Sequence, residues 1–209
     1  MKRILLACAL GALSLAAQAD VTVGVLVGAT GPGAALGIPY KNTFSVLPPT
    51  LGSEKVRYIV LDDVTDPSNA VRNALRLITE ERADVLIGST SVPAATAVAG
   101  VAAEHRIPQI SLAPVAPSAA NNPWVFTIPQ PTPIMMGAVV AHMKAHGIKT
   151  AGYIGFSDSW GDLVYNATLK HADPAGITLV TNERYARNDT SVAGQAGGGA
   201  RGAVGFQRG

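Results

Sequence analysis

The stretch from residue 84 to residue 117 constrains the fold most, because it alternates short apolar runs with helix-forming sequence. It reads DVLIGSTSVPAATAVAGVAAEHRIPQISLAPVAP. DVLIG and QISLA are rich in apolar residues, as strands buried on both faces are. The segment TAVAGVAAEHR between them has the composition of a helix. We therefore predict a strand, a loop, a helix, a strand and a second loop, which is the repeating unit of a parallel sheet.

Both loops of this unit follow the carboxyl end of a predicted strand, where open parallel sheets bind their ligands. The first loop, GSTSVPAA, has no charge and carries the hydroxyl groups of Ser89, Thr90 and Ser91 as potential donors. The second loop, PVAPSAANNP, also consists largely of small residues. Small residues expose backbone N–H groups, and such donors at a helix N-terminus suit a carboxylate. The loops therefore indicate an anion site, although tight connections that bind nothing would have the same composition.

The alternation extends towards the N-terminus. Strands are predicted at 21–27 and 56–61, with a helix at 38–47 between them. Asp66 and Pro67 are the N-cap and first residue of the next helix. Its apolar residues recur with the helical period of 3.6: Val71, Ala74, Leu75 and Ile78. The order β-α-β-α-β-α-β predicts an α/β fold with a doubly wound parallel sheet.

The proline-rich segment PWVFTIPQPTP, residues 123–133, is predicted to cross between two lobes. After it the alternation restarts. The predicted elements are a helix that Thr132 caps, with Met135, Val139 and Met143 on one stripe, a strand at 150–156, a helix at 162–171 and a strand at 177–181.

The two ends of the chain differ from the α/β pattern between them. Residues 1–19 have the layout of an export leader: Lys2 and Arg3, an apolar run and the small-residue cleavage site AQA. We expect cleavage after Ala19 and a periplasmic mature protein. From Gly194 onwards, GQAGGGARGAVGFQRG has no periodicity and no acidic residue. A truncated end, a frameshifted end and a disordered tail all remain open for this segment.

These boundaries predict four parts. The leader is 1–19, the first α/β lobe is 20–128, a partial second α/β lobe is 129–193, and an aberrant glycine-rich tail is 194–209.

Charge and cysteine content exclude several classes of protein. The chain has 16 Lys and Arg against 14 Asp and Glu, and removing Lys2 and Arg3 with the leader brings the two into balance. A neutral chain argues against nucleic acid and anionic membranes as partners. The single cysteine, Cys8, lies in the leader, so the mature chain has no intramolecular disulfide.

Three local motifs match known chemistry poorly. From Gly31 the first loop reads G-P-G-A-A-L, with Leu36 where a dinucleotide fingerprint needs Gly or Ala. GFSDS departs from a hydrolase nucleophile elbow at Ser159. His142 and His146 have the spacing of two zinc ligands but lack the glutamate of a zinc protease. These motifs do not indicate an enzyme.

A cluster of acidic residues follows the second predicted strand. Asp62, Asp63 and Asp66 could hold a metal ion, but such clusters in turns more often bind backbone N–H groups. We therefore expect no cofactor and no metal.

Taken in order, the motifs resemble one protein family. After the leader come VTVGVLVGATGPGAALG, YIVLDDVTDPSNAVRNALRLI, DVLIGSTS, EHRIPQIS and GYIGFSDSWGD. This ordered set resembles the Leu/Ile/Val-type (type I) periplasmic substrate-binding proteins of ABC transporters. FTIPQPT and NERYARNDTSVAGQ are similar to the branch associated with aromatic acids. The resemblance covers residues 20–193. It implies two Rossmann-like lobes with the ligand in the cleft, and a truncated second lobe, because family members are typically much longer.

The resemblance also implies a set of ligand-binding residues: Leu36, Ser91, Val92, Ala113, Pro114, Val115 and Trp160. The loops after the third and fourth strands would hold the carboxylate and amino ends of the ligand. Leu36 would cover the ligand's side chain, and Trp160 would close over it from the second lobe. Val92 and Val115 stand where amino-acid binders commonly have hydroxyl groups, which favours a more apolar acid.

Three functions are consistent with these observations. The first is the solute-binding component of an ABC importer for a hydrophobic amino acid or a small aromatic carboxylic acid. The resemblance implies a monomer that works with an ABC permease in the inner membrane. The second is a non-functional, truncated remnant of such a protein. The third is a dinucleotide-binding enzyme, against which the leader and the broken fingerprint both count.

Overall fold

Two separate β-sheets with flanking helices make up the part of the chain that the computed structural model describes, residues 20–116 and 122–197. The strands are β1 (Val21–Val27), β2 (Thr50–Leu51), β3 (Glu54–Asp62), β4 (Val85–Ile87), β5 (Gln109–Ser111), β6 (Val125–Thr127), β7 (Thr150–Phe156) and β8 (Thr178–Tyr185). The main helices are α1 (Ala34–Phe44), α2 (Pro67–Thr79), α3 (Val92–His105), α4 (Thr132–Ala145) and α5 (Ser159–Ala175). The predicted leader and most of the predicted tail lie outside the described residues.

The first sheet has six strands in the order β2-β3-β1-β4-β5-β6, and the second consists of β7 and β8. All neighbouring strands are parallel except β2 and β3, which form a short antiparallel pair. The predicted doubly wound parallel class is therefore confirmed. Within the described residues, no helix is both long and apolar enough to cross a bilayer.

Strand β1 lies at the centre of the core because its side chains are buried on both faces of the sheet. Leu26 points towards α2 and α3, where it joins a cluster with Leu77 and Leu86. Val25 and Val27 point to the opposite face, which Phe44 of α1 helps to cover. Complete burial of each such side chain contributes about 1.5–3 kcal/mol. This two-sided burial explains the continuous apolar run in the sequence.

Helix α1 differs from the prediction, because it begins at Ala34 and ends at Phe44, whereas the predicted helix was 38–47. Leu36 and Gly37 were expected in the preceding loop and are helical instead. A Cβ atom at Gly37 would lie 2.0 Å from the carbonyl oxygen of Gly28, so the helix approaches the end of β1 through its glycine. This tertiary contact positions the helix in a way that the local sequence does not signal.

Helix α2 begins as predicted. The Asp66 side chain accepts a hydrogen bond of 2.7 Å from the N–H of Asn69, and Pro67 is the first helical residue. The predicted stripe of apolar residues faces the core, since all four of them lie in or pack against one buried cluster. The fully buried residues are Ala70, Ala74 and Leu77, whereas Val71, Leu75 and Ile78 are only partly buried.

Helices α3 and α5 start earlier than expected because a polar side chain caps each of them. Ser91 caps α3, so residues 92–95 are helical and not part of the loop. Asp158 caps α5, which therefore begins at Ser159 and not at residue 162. Strand β8 also extends further than its predicted end at residue 181.

The predicted crossing segment begins with a strand that was not predicted separately, and the helix after it differs in detail from the prediction. Residues 125–127 form β6, which pairs with β5 and extends the first sheet. Thr132 does not cap α4: it is the first helical residue, it is buried, and Pro131 occupies the cap position. On the predicted stripe of α4, Val139 is exposed and Val140 is buried.

Candidate functional site

A cavity of about 320 Å³ lies at the carboxyl ends of β4 and β5. Its lining residues come from both sheets and their helices: Leu36, Thr90, Ser91, Val92, Leu112, Ala113, Pro114, Pro129, Met135, Trp160 and Arg187. The structure thus brings six of the seven residues implied by the family resemblance around one cavity. The seventh, Val115, lines two neighbouring cavities instead.

The loop after β4 presents two hydroxyl groups to the cavity. The oxygen of Thr90 accepts a hydrogen bond of 3.1 Å from the N–H of Gly28. The oxygen of Ser91 accepts one of 3.4 Å from the N–H of Ala94 at the start of α3. Since each hydroxyl uses its oxygen as an acceptor, its hydrogen remains free to be donated. No acceptor for either hydrogen occurs within the described ranges, so the loop offers two donors to a ligand.

Ser89, the third hydroxyl expected at the site, is directed elsewhere. It donates a hydrogen bond of 2.6 Å to the carboxylate of Asp63, and both side chains are fully buried. The side-chain amide of Gln109 also stabilises this loop. It donates hydrogen bonds to the carbonyl of Gly88 at 2.7 Å and to that of Ala95 at 3.1 Å. The loop is therefore held rigidly before any ligand arrives.

The loop after β5 forms an apolar wall. The hydroxyl of Ser111 donates to the carbonyl of Ala113 at 2.6 Å and accepts from the N–H of Ala113 at 3.3 Å. Pro114 has no N–H to offer. The polar backbone groups of Ala113 are therefore bonded within the loop. This wall suits the hydrocarbon part of a ligand better than its charged end.

The three acidic residues after β3 stabilise turns through separate contacts. Asp62 accepts hydrogen bonds from the N–H groups of Ala29, Thr30 and Val64 and from the Thr30 hydroxyl. Although partial burial raises the pKa of Asp62, these hydrogen bonds hold it below its ordinary value. Asp63 binds Ser89, and Asp66 caps α2. These contacts are the ones expected if the acidic residues stabilise turns.

The glycine-rich loop after β1 has little capacity left for a pyrophosphate. The N–H of Gly28 is bonded to Thr90, and the hydroxyl of Thr65 accepts from the N–H of Gly33 at 3.0 Å. The N–H groups of Ala29 and Thr30 are bonded to Asp62. A dinucleotide fingerprint needs such groups to face the ligand. This geometry counts against the dinucleotide-enzyme interpretation.

Trp160 connects the two halves of the cavity wall. It belongs to α5, yet its side chain packs against an apolar cluster formed by α3 and the loop after β5. The cluster consists of Val92, Ala95, Ala99, Ala113 and Val115. Its backbone N–H donates to Asp158 at 2.9 Å. The helix cap therefore fixes the backbone at Trp160, and packing against α3 positions its indole. This placement is compatible with covering a ligand that rests on the β4 and β5 loops.

Arg187 lines the cavity but was not predicted from the sequence, and the same holds for Leu112, Pro129 and Met135. It follows β8, and its Nε atom lies 2.6 Å from Oδ2 of Asp158. Its guanidinium carbon lies 4.3 Å from the centre of the Phe156 ring. The side chain is 23% exposed and lines the cavity. It is the only charged side chain among the described residues of the lining, and its partner Asp158 is not among them, so the positive end of this ion pair lines the cavity.

Of the remaining motifs, GFSDS adjoins the cavity through Asp158, which contacts Arg187, whereas the two histidines are not part of the lining. In GFSDS, the N–H of Ser157 donates to the carbonyl of Tyr185, as part of the β7–β8 region. His142 and His146 are exposed on α4, with ring centres 4.1 Å apart. The described residues contain no group of three or more His, Cys, Asp or Glu placed to hold a metal ion.

Comparison with known proteins identifies close similarity to one family. The family described as periplasmic binding protein matches residues 20–197. An extracellular ligand-binding receptor from Rhodopseudomonas palustris HaA2 superimposes with a TM-score of 0.85 at 45% identity, covering 88% of this chain and 51% of that one.

Two more distant structures share the fold. A solute binding protein of an R. palustris ABC transporter, solved in complex with benzoate, has a TM-score of 0.73 at 24% identity, over 86% of this chain and 52% of that one. A leucine binding protein from Thermotoga maritima has a TM-score of 0.75 at 19% identity, over 88% and 54%. The chain therefore spans about half the length of the solved structures that it matches.

Proposed function

Because the chain belongs to the periplasmic binding protein family, we propose that it is the solute-binding component of an ABC importer for a small carboxylic acid with an apolar body. The solute is a hydrophobic amino acid or a small aromatic acid, and the protein delivers it to a permease in the inner membrane. The protein acts in the periplasm, in keeping with the leader pattern at residues 1–19. It binds its solute and does not transform it.

One observation carries this proposal: two hydroxyl side chains with a donor to spare line the same cavity as an apolar wall and a tryptophan. Thr90 and Ser91 provide donors at the N-terminus of α3, where the helix dipole also favours an anion. Leu112, Ala113 and Trp160 surround the remaining space with hydrocarbon and aromatic surface. A carboxylate attached to an apolar body has the matching distribution of charge and apolar surface.

The comparisons support the same class of ligand. Of the structures described above, one was solved with benzoate and another is a leucine binding protein, so this fold accommodates both kinds of acid. The seven residues Leu36, Ser91, Val92, Ala113, Pro114, Val115 and Trp160 remain our proposal for the ligand contacts. The lobes that would close over the ligand are proposed to be 20–128 and 129–193.

Tryptophan fluorescence provides a direct test. The chain has two tryptophans, Trp124 and Trp160. In a Trp124→Phe variant, the emission of Trp160 alone reports on the cavity. We expect a saturable change in emission with at least one of benzoate, 4-hydroxybenzoate, L-leucine and L-phenylalanine, with calorimetry giving the same affinity. A protein that is folded by circular dichroism but binds none of these acids would contradict the proposal.

A further inference from the structure

The described lining of the cavity contains one positively charged side chain and no negatively charged one. This difference affects which acids can bind. Arg187 is positively charged, and the other described lining residues are all neutral. An α-amino acid carries an ammonium group as well as a carboxylate. An ammonium group that leaves water requires a carboxylate or several neutral acceptors, because burying an unpaired charge is costly.

The acidic groups near the cavity are already bonded. Asp158 places Oδ2 against Arg187 at 2.6 Å and Oδ1 against the N–H groups of Trp160 at 2.9 Å and Gly161 at 3.3 Å. In the first turn of α5, Oδ1 of Asp162 lies 3.1 Å from a terminal guanidinium nitrogen of Arg184. Asp158 and Asp162 are also absent from the lining. Neither carboxylate is therefore available to an ammonium group in the cavity.

The guanidinium of Arg187 is positioned before a ligand binds. The contact of its Nε atom with Asp158 and its position over the Phe156 ring restrict the side chain. Neither contact uses a hydrogen bond from the two terminal nitrogens of the guanidinium. These nitrogens have no hydrogen-bond partner within the described ranges. A guanidinium held at Nε still presents donors that match a carboxylate. Its charge also repels a cation in the same space.

We propose that Arg187 makes the cavity selective for carboxylates that lack an ammonium group. This inference rests on the proposed function and narrows its ligand class: the acid is monoanionic, with an apolar or aromatic body. Arg187 contributes attraction to the carboxylate and repulsion of an ammonium group. Asp158 and Phe156 are positioning residues that hold the guanidinium at the wall.

Matched pairs of ligands isolate the ammonium group. 3-Phenylpropanoate differs from L-phenylalanine, and 4-methylpentanoate from L-leucine, only by this group. Calorimetry on the full chain should show that each desamino acid binds at least tenfold more tightly than its amino acid. Equal or tighter binding of the amino acids would overturn this inference and leave the proposed function standing. A folded chain that binds none of the four would overturn this inference, and it would overturn the proposed function as well if it also failed to bind benzoate and 4-hydroxybenzoate.

Variants then assign the preference to Arg187. Arg187→Gln should reduce the preference at least fivefold, mainly by weakening the binding of the desamino acid. Arg187→Lys keeps the charge beside Asp158 and should retain most of the preference, which covers the case in which Arg187→Gln is unstable. Arg82→Gln, at an exposed arginine outside the cavity, is the matched control and should behave as the wild type. An undiminished preference in folded Arg187→Gln would overturn the assignment.

Discussion

The hydroxyl of Ser89 donates a 2.6 Å hydrogen bond to the carboxylate of Asp63, and neither side chain is exposed to solvent. Asp63 follows β3 and Ser89 follows β4, so this bond joins two loops beneath the cavity. Burial raises the pKa of Asp63; the hydrogen bonds from Ser89 and Thr65 offset this in part, and the charge of Asp62 adds to it. The folded protein therefore binds a proton at Asp63 more tightly than the unfolded chain does.

The raised pKa of Asp63 predicts a dependence of stability on pH. Its contribution should be most favourable below the ordinary pKa of 3.8 and should be lost as the pH rises through the folded pKa. In Asp63→Asn the amide can accept from Thr65 and donate to Ser89, with no charge to bury. The free energy of unfolding of the variant relative to wild type should therefore increase between about pH 3.5 and pH 7, by roughly 1.4 kcal/mol for each unit of pKa elevation. Urea unfolding across this range measures it, and a constant difference would refute the prediction.

The glycine of α1 that approaches β1 predicts a pair of opposite mutational effects. Gly37→Ala would place a Cβ atom 2.0 Å from the carbonyl oxygen of Gly28, so α1 must move away from the sheet. We expect a loss of about 1–3 kcal/mol in the free energy of unfolding. Gly100→Ala is the control, because Gly100 lies within α3 with no atom near the new methyl group. That variant should gain about 0.5–1 kcal/mol. Chemical unfolding of both proteins tests the contrast; equal effects would contradict it.

Removing the buried side-chain amide of Gln109, which binds the loop after β4, should lower the stability of the protein. Gln109→Met removes the donor from the carbonyls of Gly88 and Ala95 and leaves them in an apolar interior. We expect a cost of about 1–3 kcal/mol, with a parallel loss of ligand affinity, because the loop carries Thr90 and Ser91. Gln130→Met, at an exposed position, should change stability by about 0.5 kcal/mol or less. A Gln109→Met protein as stable as the control would show that these two bonds contribute nothing.

The cap of α3 allows ligand binding to be separated from stability. Ser91→Asp keeps an N-cap acceptor for Ala94, and aspartate caps helices as well as serine does. It also replaces a donor at the cavity with an anion. We expect a melting temperature close to that of the wild type and at least a tenfold loss of affinity for a carboxylate, equivalent to about 1.4 kcal/mol. Unchanged affinity in the folded variant would remove Ser91 from the proposed contacts.

Elements with strong local signals were predictable from the sequence. The bounds of β1 and β7 match the prediction, since each is a short, mostly uncharged and largely apolar segment with charged or turn-forming residues at its ends. The Asp66 cap was also predictable, because Asp followed by Pro favours a helix start whatever the surroundings. In these places local propensity and tertiary structure agree.

The starts of α1 and α3 were not predictable in the same way. Both lie among small residues, where composition does not distinguish a loop from a helix. For α1 the deciding contact is the approach of Gly37 to Gly28, and for α3 it is the Ser91 cap on Ala94. The first contact depends on packing against β1, and the second involves a serine that equally suits a turn.

Arg187 was missed because its partners are distant in sequence. Asp158 is separated from it by 29 positions, and no local motif marks the pair. A general rule could have found it: Arg187 follows β8 as Asp158 follows β7, and the carboxyl ends of neighbouring parallel strands meet at one edge of the sheet. The same rule underlies the prediction of a ligand site at the β4 and β5 loops.

The three hydrogen bonds of Asp158 limit how this site can be redesigned. One oxygen caps α5 through Trp160 and Gly161, and the other holds Arg187. An engineer who wished to reverse the charge preference by substituting Glu at position 187 would bring two carboxylates together. Restoring compatibility requires a simultaneous change at position 158 to a neutral residue that still caps a helix, such as Asn, Ser or Thr. The charge at one wall of the cavity therefore cannot be changed independently of the residue that caps α5.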